Sequence, residues 1–246
     1  MNAGLRGRLV LVDGPGELAE VGARRVAEVL GEALARRRRA ALALAGGGTP
    51  EGLYVCLAAG MPGAAVDWAR VEIFQGDERC VDPGHPDSNF GRARALLLGR
   101  LAEAPAAVHR MPVEEGAARA AELYSRLLEE RLGRPPRLDL VLLGLGVDGH
   151  TASLFPEAGL GAGWAEAAVA PSPPVERVTL THRTLDAAGQ VIVLVSGIEK
   201  AEALARVARQ EDLPAAHLAP DRLEWIVDIA AATGLAGLVD GATLSF

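Results

Sequence analysis

Cysteine, lysine and long apolar runs are the scarce features of this 246-residue chain, and each scarcity narrows what it can be. Its two cysteines, Cys56 and Cys80, lie far apart and not in a C-x-x-C pair. That argues against a disulfide-stapled secreted scaffold, and a reducing, cytoplasmic setting is expected. No run approaches the roughly 18 apolar residues of a membrane span. The opening MNAGLRGRLVLVDGPG also lacks the apolar core of a secretory leader. Neither a membrane nor a nucleic acid is expected as a partner: the net charge is −7, which disfavours nonspecific binding to polyanions. The Arg36–Arg39 run is the one feature that points the other way. It lacks accompanying aromatics and lies at the C-terminal end of a predicted helix, where the helix dipole favours cations. Lysine is nearly absent. Of 25 basic residues only Lys200 is a lysine.

Half of the residues are hydrophobic, so a sizeable core can be buried. Helical spacing predicts a helix over 17–38, a second over 51–59, one from Asn89 to about Leu101, one from 114 to about 132, and one from Gly197 to about Arg209. Short apolar runs predict strands at Ala41–Ala45, Val71–Phe74, Leu138–Gly146, Ala168–Ala170, Arg177–Thr181 and Gln190–Val195, with a strand near Trp225 and a helix near Asp228–Thr233. The Leu138–Gly146 run LDLVLLGLG is continuous, as in a strand covered on both faces. Alternating strands and helices imply an α/β fold with a mostly parallel sheet and helices on both faces. One α/β domain over 1–246 is expected, with room for a small subdomain near 150–190. Ligands of such sheets bind beyond the carboxyl ends of the strands. Three glycine-rich or polar segments, 46–50, 75–89 and 144–156, fall at those ends and are expected to share one crevice.

Gly46-Gly47-Gly48-Thr49-Pro50 joins a strand to a helix. Backbone N–H groups and the helix N-terminus suit an anion there, with the Thr49 hydroxyl as a further donor. Equally, Thr49 could cap the helix and Pro50 occupy its first turn, with no ligand needed. No lysine follows as in a nucleotide-binding P-loop.

Gly76-Asp77-Glu78-Arg79 crowds three charges at a strand end. Arg79 could grip a carboxylate or phosphate in bidentate fashion, or stabilise an oxyanion. The alternative is a surface ion-pair cluster. Asp77, Cys80, His85 and Asp87 could also be read as metal ligands, but their mix and spacing match no closed zinc pattern, and no metal is expected.

Gly144, Gly146 and Gly149 formally spell G-x-G-x-x-G. A dinucleotide site is disfavoured, since Pro156 leaves barely two turns of helix and no acid-terminated strand follows roughly 20 residues on. His150, in that loop, suits a general base that takes a proton from water; the plain alternative is a histidine that closes the turn. Asp148, two residues earlier, could orient the loop or the ring. Arg177 begins a strand and by itself reads as a surface residue. Lys200 is retained in a chain that otherwise uses arginine, which suits a site wanting a compact point charge. His85, His109, His182 and His217 have no catalytic context and are read as surface or packing residues.

The segments LALAGGGTPEGLY (42–54), GDERCVDPGHPDSNF (76–90), LDLVLLGLGVDGHTASLFP (138–156), RVTL (177–180), VSGIEKAEAL (195–204) and LPAAHLAP with LEWIVDIAA (213–231) resemble, in order, the 6-phosphogluconolactonase family. That family stands within a wider group with glucosamine-6-phosphate deaminase and ribose-5-phosphate isomerase. The resemblance implies a Rossmann-like fold of the sugar-phosphate isomerase/CoA-transferase type. It also implies hydrolysis of 6-phospho-D-glucono-1,5-lactone in the oxidative pentose phosphate pathway, with no cofactor. By position, His150 looks like the residue that activates water, and Arg79, Arg177 and Lys200 like the cations that bind the phosphorylated lactone; a monomer or small homo-oligomer is expected. The family's glycine loop usually reads SGGSTP, whereas Ala45 and Gly48 stand here in place of both serines, leaving backbone donors. A hexosamine-phosphate deaminase is the nearest rival, but its pattern resembles DEY where this chain has Asp77-Glu78-Arg79 and places a glutamate where this chain has Phe155. A catalytically silent sugar-phosphate sensor is a third reading, disfavoured because His150 is present.

Overall fold

Strands of five or six residues buried on both faces set the architecture. The computed structural model describes residues 4–63, 65–156 and 161–236. Its strands are β1 (Arg8–Val12), β2 (Ala40–Leu44), β3 (Val71–Gln75), β4 (Asp77–Arg79), β5 (Ala107–His109), β6 (Leu140–Gly144), β7 (Ala165–Val169), β8 (Glu176–Leu180), β9 (Val191–Val195) and β10 (Leu223–Asp228). The helices are α1 (Pro15–Arg37), α2 (Glu51–Ala58), α3 (Asn89–Ala93), α4 (Ala117–Leu132), α5 (His182–Ala187), α6 (Ala201–Ala208) and α7 (Ile229–Ala232).

Seven strands form one sheet in the order β1-β10-β9-β6-β2-β3-β5, and every neighbouring pair is parallel. Successive side chains of a strand point to opposite faces, and both faces here are apolar. Ala41 and Ala43 of β2, Val141 and Leu143 of β6 and Val193 of β9 enter one core with Tyr124 and Leu128 of α4 and Leu204 of α6. Leu42 and Leu44, Leu140 and Leu142, and Ile192 and Leu194 enter the other, beneath Leu18, Val26 and Leu30 of α1 and Leu53 of α2. Emptying a central position such as the fully buried Leu42 to alanine would cost about 2–5 kcal/mol. The fold is α/β, a mostly parallel sheet covered by helices on both faces.

The strand order also locates a crevice. From β2 the chain moves outward through β3 to β5. It then returns to lay β6 on the other side of β2, and continues outward through β9 to β10. The reversal between β2 and β6 is a topological switch point, where adjacent connections leave on opposite sides and open a cleft at the strands' carboxyl ends.

A second, antiparallel sheet in the order β4-β8-β7 stands beside that cleft. Gly76 joins the two sheets: its N–H donates to Leu44 O of β2 at 2.9 Å, and its carbonyl accepts from Leu180 N of β8 at 2.8 Å.

Several elements depart from the pattern read in the sequence. β1 and β5, which are not among the expected strands, lie at the two edges of the main sheet; β5 is three residues long, while β1 carries the apolar run Leu9–Val12. The segment Asp77–Arg79 is itself a strand. The helix expected from 114 begins at Ala117, because Gly116 at φ 81° interrupts it after a 3₁₀ turn. The helix expected from Asn89 to Leu101 is one short α-turn followed by a π-turn over Arg94–Leu98. Lys200 closes a 3₁₀ turn ahead of α6. The strand expected at 168–170 runs from Ala165 to Val169. The Arg36–Arg39 run terminates α1: Arg38 adopts a left-handed conformation and donates its N–H to Leu34 O at 2.8 Å, while Arg36 pairs with Glu32 and Arg37 with Asp139.

Candidate active site

The loops that leave β2, β3, β6 and β9 meet at the switch point around a cavity of about 260 Å³. Gly46, Gly47, Gly48 and Thr49 line one side, Asp77 and Arg79 a second, and Gly144–Val147 with His150 the floor. Lys200 closes the rim from the β9 side. Two residues nominated from the sequence, Asp148 and Arg177, are not part of the lining and stand behind it.

His150 is held from three directions. Its Nδ1 lies 2.5 Å from Asp148 Oδ1, and its backbone N–H donates to the same oxygen at 3.1 Å. The Phe155 ring packs on the imidazole with centroids 4.8 Å apart. On the other side the ring lies against Gly146, where a Cβ would fall 2.0 Å from Nδ1, so no other residue fits without moving the histidine. Burial opposes ionisation of Asp148, but the N–H, charge and ring of His150 outweigh it and hold the carboxyl below its ordinary value. An ionised Asp148 accepts a proton-bearing Nδ1, which leaves Nε2 as the nitrogen free to take a proton. The loop itself is pinned by Thr151 Oγ1 donating to Gly144 O at 2.9 Å.

In the glycine loop, Gly47 sits at φ 82°, a conformation that favours glycine, with open space where a side chain would be. The helix that follows starts at Glu51, and no side chain caps it. Thr49 therefore faces the cavity without serving the cap. The carbonyl of Ala45 accepts the Tyr54 hydroxyl at 2.7 Å, fixing the loop's entry.

Asp77, Glu78 and Arg79 are not a surface ion-pair cluster. Asp77 is buried and accepts from Ser153 Oγ at 2.7 Å and from Asn89 Nδ2 at 3.2 Å. Arg79 donates from Nη1 to Asp87 O at 2.6 Å. Across the β4–β8 pair, Arg79 stands opposite Arg177. Arg177 is only 7% exposed, and its Nε and Nη1 have no hydrogen-bond partner among the described residues. Burial and then the Arg79 charge push the Arg177 guanidinium below its ordinary range, against the pull of Asp77, Asp87 and Glu78. Two adjacent guanidiniums with donors to spare make the β4–β8 side of the cleft a ready counterpart for an oxyanion.

Lys200 is placed from beneath. Asp228, at the end of β10, accepts Ser196 Oγ at 2.5 Å and Gly197 N–H at 3.0 Å while capping α7 through Ala231 N–H at 2.8 Å. This clamp shapes the turn that carries Lys200, whose ammonium has no carboxylate partner among the described residues. Glu78, Ser153, Asn89 and Asp228 support the site, though no role for them is read from the sequence. Ser153 and Asp228 act on residues distant in sequence, Asp77 and Ser196, whereas Glu78 and Asn89 act within one segment.

The metal reading of Asp77, Cys80, His85 and Asp87 finds no support in the geometry: His85 faces Asp87, Asp77 is taken by Ser153 and Asn89, and no cluster of three such side chains occurs among the described residues. Of the other histidines, His109 pairs with Glu72 at 2.7 Å, and His182 lies against His217. Among the described residues no helix is long and apolar enough to cross a membrane.

The chain is similar to known proteins over most of its length. Residues 13–227 match the model of the family described as glucosamine-6-phosphate isomerases/6-phosphogluconolactonase. A 6-phosphogluconolactonase of Streptomyces coelicolor is 35% identical over 237 residues, covering 89% of this chain and 90% of that protein. One from Synechocystis is 36% identical over 208 residues, covering 80% and 85%. The solved 6-phosphogluconolactonase of Trypanosoma brucei superposes with a TM-score of 0.81 at 28% identity, over 94% of this chain and all of that one. A monomeric glucosamine-6-phosphate deaminase shares the fold with a TM-score of 0.78 at 21% identity.

Proposed function

The chain belongs to the family of glucosamine-6-phosphate isomerases and 6-phosphogluconolactonases, and from that premise we propose that it hydrolyses 6-phospho-D-glucono-1,5-lactone to 6-phospho-D-gluconate, with His150 activating the water. It is a lactone hydrolase of the oxidative pentose phosphate pathway, and its partner is the phosphorylated sugar lactone. The observation that carries the reading is the Asp148–His150 pair at a cleft whose walls supply cations and a glycine loop.

The substrate's phosphate is held by the Gly46–Thr49 backbone and by one of the cations around the cleft, Arg79, Arg177 or Lys200. His150 Nε2 removes a proton from water as the water oxygen bonds to the lactone carbonyl carbon. The carbonyl electrons move to oxygen, and that oxyanion is stabilised by Arg79. Collapse restores the carbonyl and breaks its bond to the ring oxygen, which takes the proton back from His150 as the C5 hydroxyl. The product acid then ionises and releases a proton. General-base action contributes about 10²–10⁴-fold and one oxyanion donor about 10²–10³-fold, ample for a ring that also opens unaided. No step calls on a cofactor.

Phe155 favours the lactonase over the deaminase reading. An apolar ring packs on His150 where the deaminase pattern places a glutamate. The test is proton release on mixing freshly generated lactone with chelator-treated wild type and with His150→Ala. Rapid release that falls to the spontaneous rate in the variant supports the mechanism. Release at the background rate from folded wild type overturns it, and hexosamine-phosphate deamination is then assayed.

A further inference from the structure

Glu78 is the most heavily hydrogen-bonded side chain near the cleft, yet it does not line it. It is 2% exposed. Oε1 accepts from the backbone N–H of Arg79 and of Asn89, both at 2.8 Å. Oε2 accepts from Phe90 N–H at 2.7 Å, Gln75 Nε2 at 2.9 Å and Ser88 Oγ at 3.2 Å. All five partners are donors, which is the arrangement a carboxylate fills without a proton. No cation pairs with it among the described residues. A buried carboxylate with that many neutral donors acts as a knot: it ties β4 to residues 88–90 of the following turn, the entry to α3.

The knot has one outlet toward the cleft. Asp87, the residue just before the tied stretch, offers its carbonyl to Arg79 Nη1 at 2.6 Å. Glu78 therefore fixes both ends of the arginine, its backbone through the Arg79 N–H and its guanidinium through the position of Asp87 O. Ser88 extends the tie by accepting Gly91 N–H at 3.0 Å while it donates to Glu78.

We propose that Glu78 is a positioning residue for Arg79, holding the guanidinium at the cleft through the 87–90 turn without touching substrate. The inference rests on the reading of Arg79 as the donor to the substrate's oxyanion or phosphate. Glutamine at 78 must present an amide NH₂ to N–H donors whichever way it is turned, so it unties the turn with little change in volume. A misplacement on the order of 1 Å at such a group costs roughly 10²-fold.

The test is a double-mutant cycle with Glu78→Gln and Arg79→Ala, read by kcat/KM and, separately, by the affinity for inorganic phosphate in calorimetry. Glu78→Gln is expected to lower kcat/KM roughly 10–100-fold in the wild-type background. In the Arg79→Ala background it should change nothing beyond about twofold. Equal losses in both backgrounds, or no loss in the first, overturn the proposal, since a residue that only stabilises the fold acts regardless of Arg79. If Glu78→Gln fails to fold, Ser88→Ala removes one donor and is held to the same criterion. The phosphate cycle needs no turnover: coupling there in a protein that lacks lactonase activity would sink the lactonase reading while sustaining the role of Glu78.

Discussion

Arg79 and Arg177 occupy directly opposed positions of an antiparallel strand pair, where like charges ordinarily destabilise a sheet. Among the described residues neither is neutralised by a direct ion pair, and Arg177 keeps two buried donors without acceptors. The pair is an arrangement that an anion would complete. Replacing Arg177 by methionine should therefore raise thermal stability while lowering kcat/KM. A gain of about 1 kcal/mol corresponds to roughly 2–4 °C in a chain of this size. Calorimetric scans of the two proteins check this, and phosphate should raise the melting temperature of wild type more than that of the variant.

Asp148 sets the orientation of His150, so Asp148→Asn should retain the fold and lose activity. An amide can present its NH₂ to Nδ1 and favour the wrong tautomer, and the expected loss in kcat is about 10²–10⁴-fold, read from proton release.

The same carboxyl gives a pH signature. Its folded value lies below its unfolded one, so its contribution to stability is present above the unfolded carboxylate range, near about 4, and is lost as pH falls through the depressed folded value. Urea midpoints of wild type and Asp148→Asn should differ at neutral pH and converge in acid. A difference that stays constant with pH would contradict the assignment.

Gly146→Ala should act on the Asp148–His150 pair, since its Cβ would fall 2.0 Å from His150 Nδ1 and 2.6 Å from Asp148 Oδ1. The new methyl group displaces the His150 ring, so kcat should fall by roughly 10²-fold with a minor change in melting temperature. Activity and thermal scans on one preparation separate the two effects.

Burial pushes both thiols up, with Glu20 adding to the effect at Cys56, and Glu176 and Glu78 at Cys80. Less thiolate is then present at neutral pH than for a free cysteine, and alkylation should be slow at pH 7 and still rising above pH 9. A plateau near pH 8.5 would show that the thiols are unperturbed.

The central strands were legible because continuous apolar runs such as 138–146 leave few alternatives, and the strand-end loops because glycines interrupt them abruptly. β5 was not, since an edge strand of three residues carries no period long enough to count, whereas β1 has a continuous apolar run, Leu9–Val12, that is not among the strands expected from the sequence. β4 was hidden for a different reason: Asp77-Glu78-Arg79 has no apolar residue, and it becomes a strand only because β8 offers partners about 100 residues away. The same distance explains the site. His150 and its aspartate are neighbours in sequence, so their pairing could be anticipated. The contacts of Asp77 with Ser153 and of Asp228 with Ser196 join segments whose proximity depends on the completed sheet.

The solitary lysine has a practical corollary. Lys200 carries the chain's one side-chain amine, and it stands at the rim of the cleft. Amine-directed reagents, from succinimidyl dyes to coupling resins, therefore have a single side-chain target that coincides with the candidate site. Coupling through that side chain would tether the protein by its own mouth, whereas a label on it, resolved from one on the terminal α-amine, would serve as a built-in reporter of occupancy.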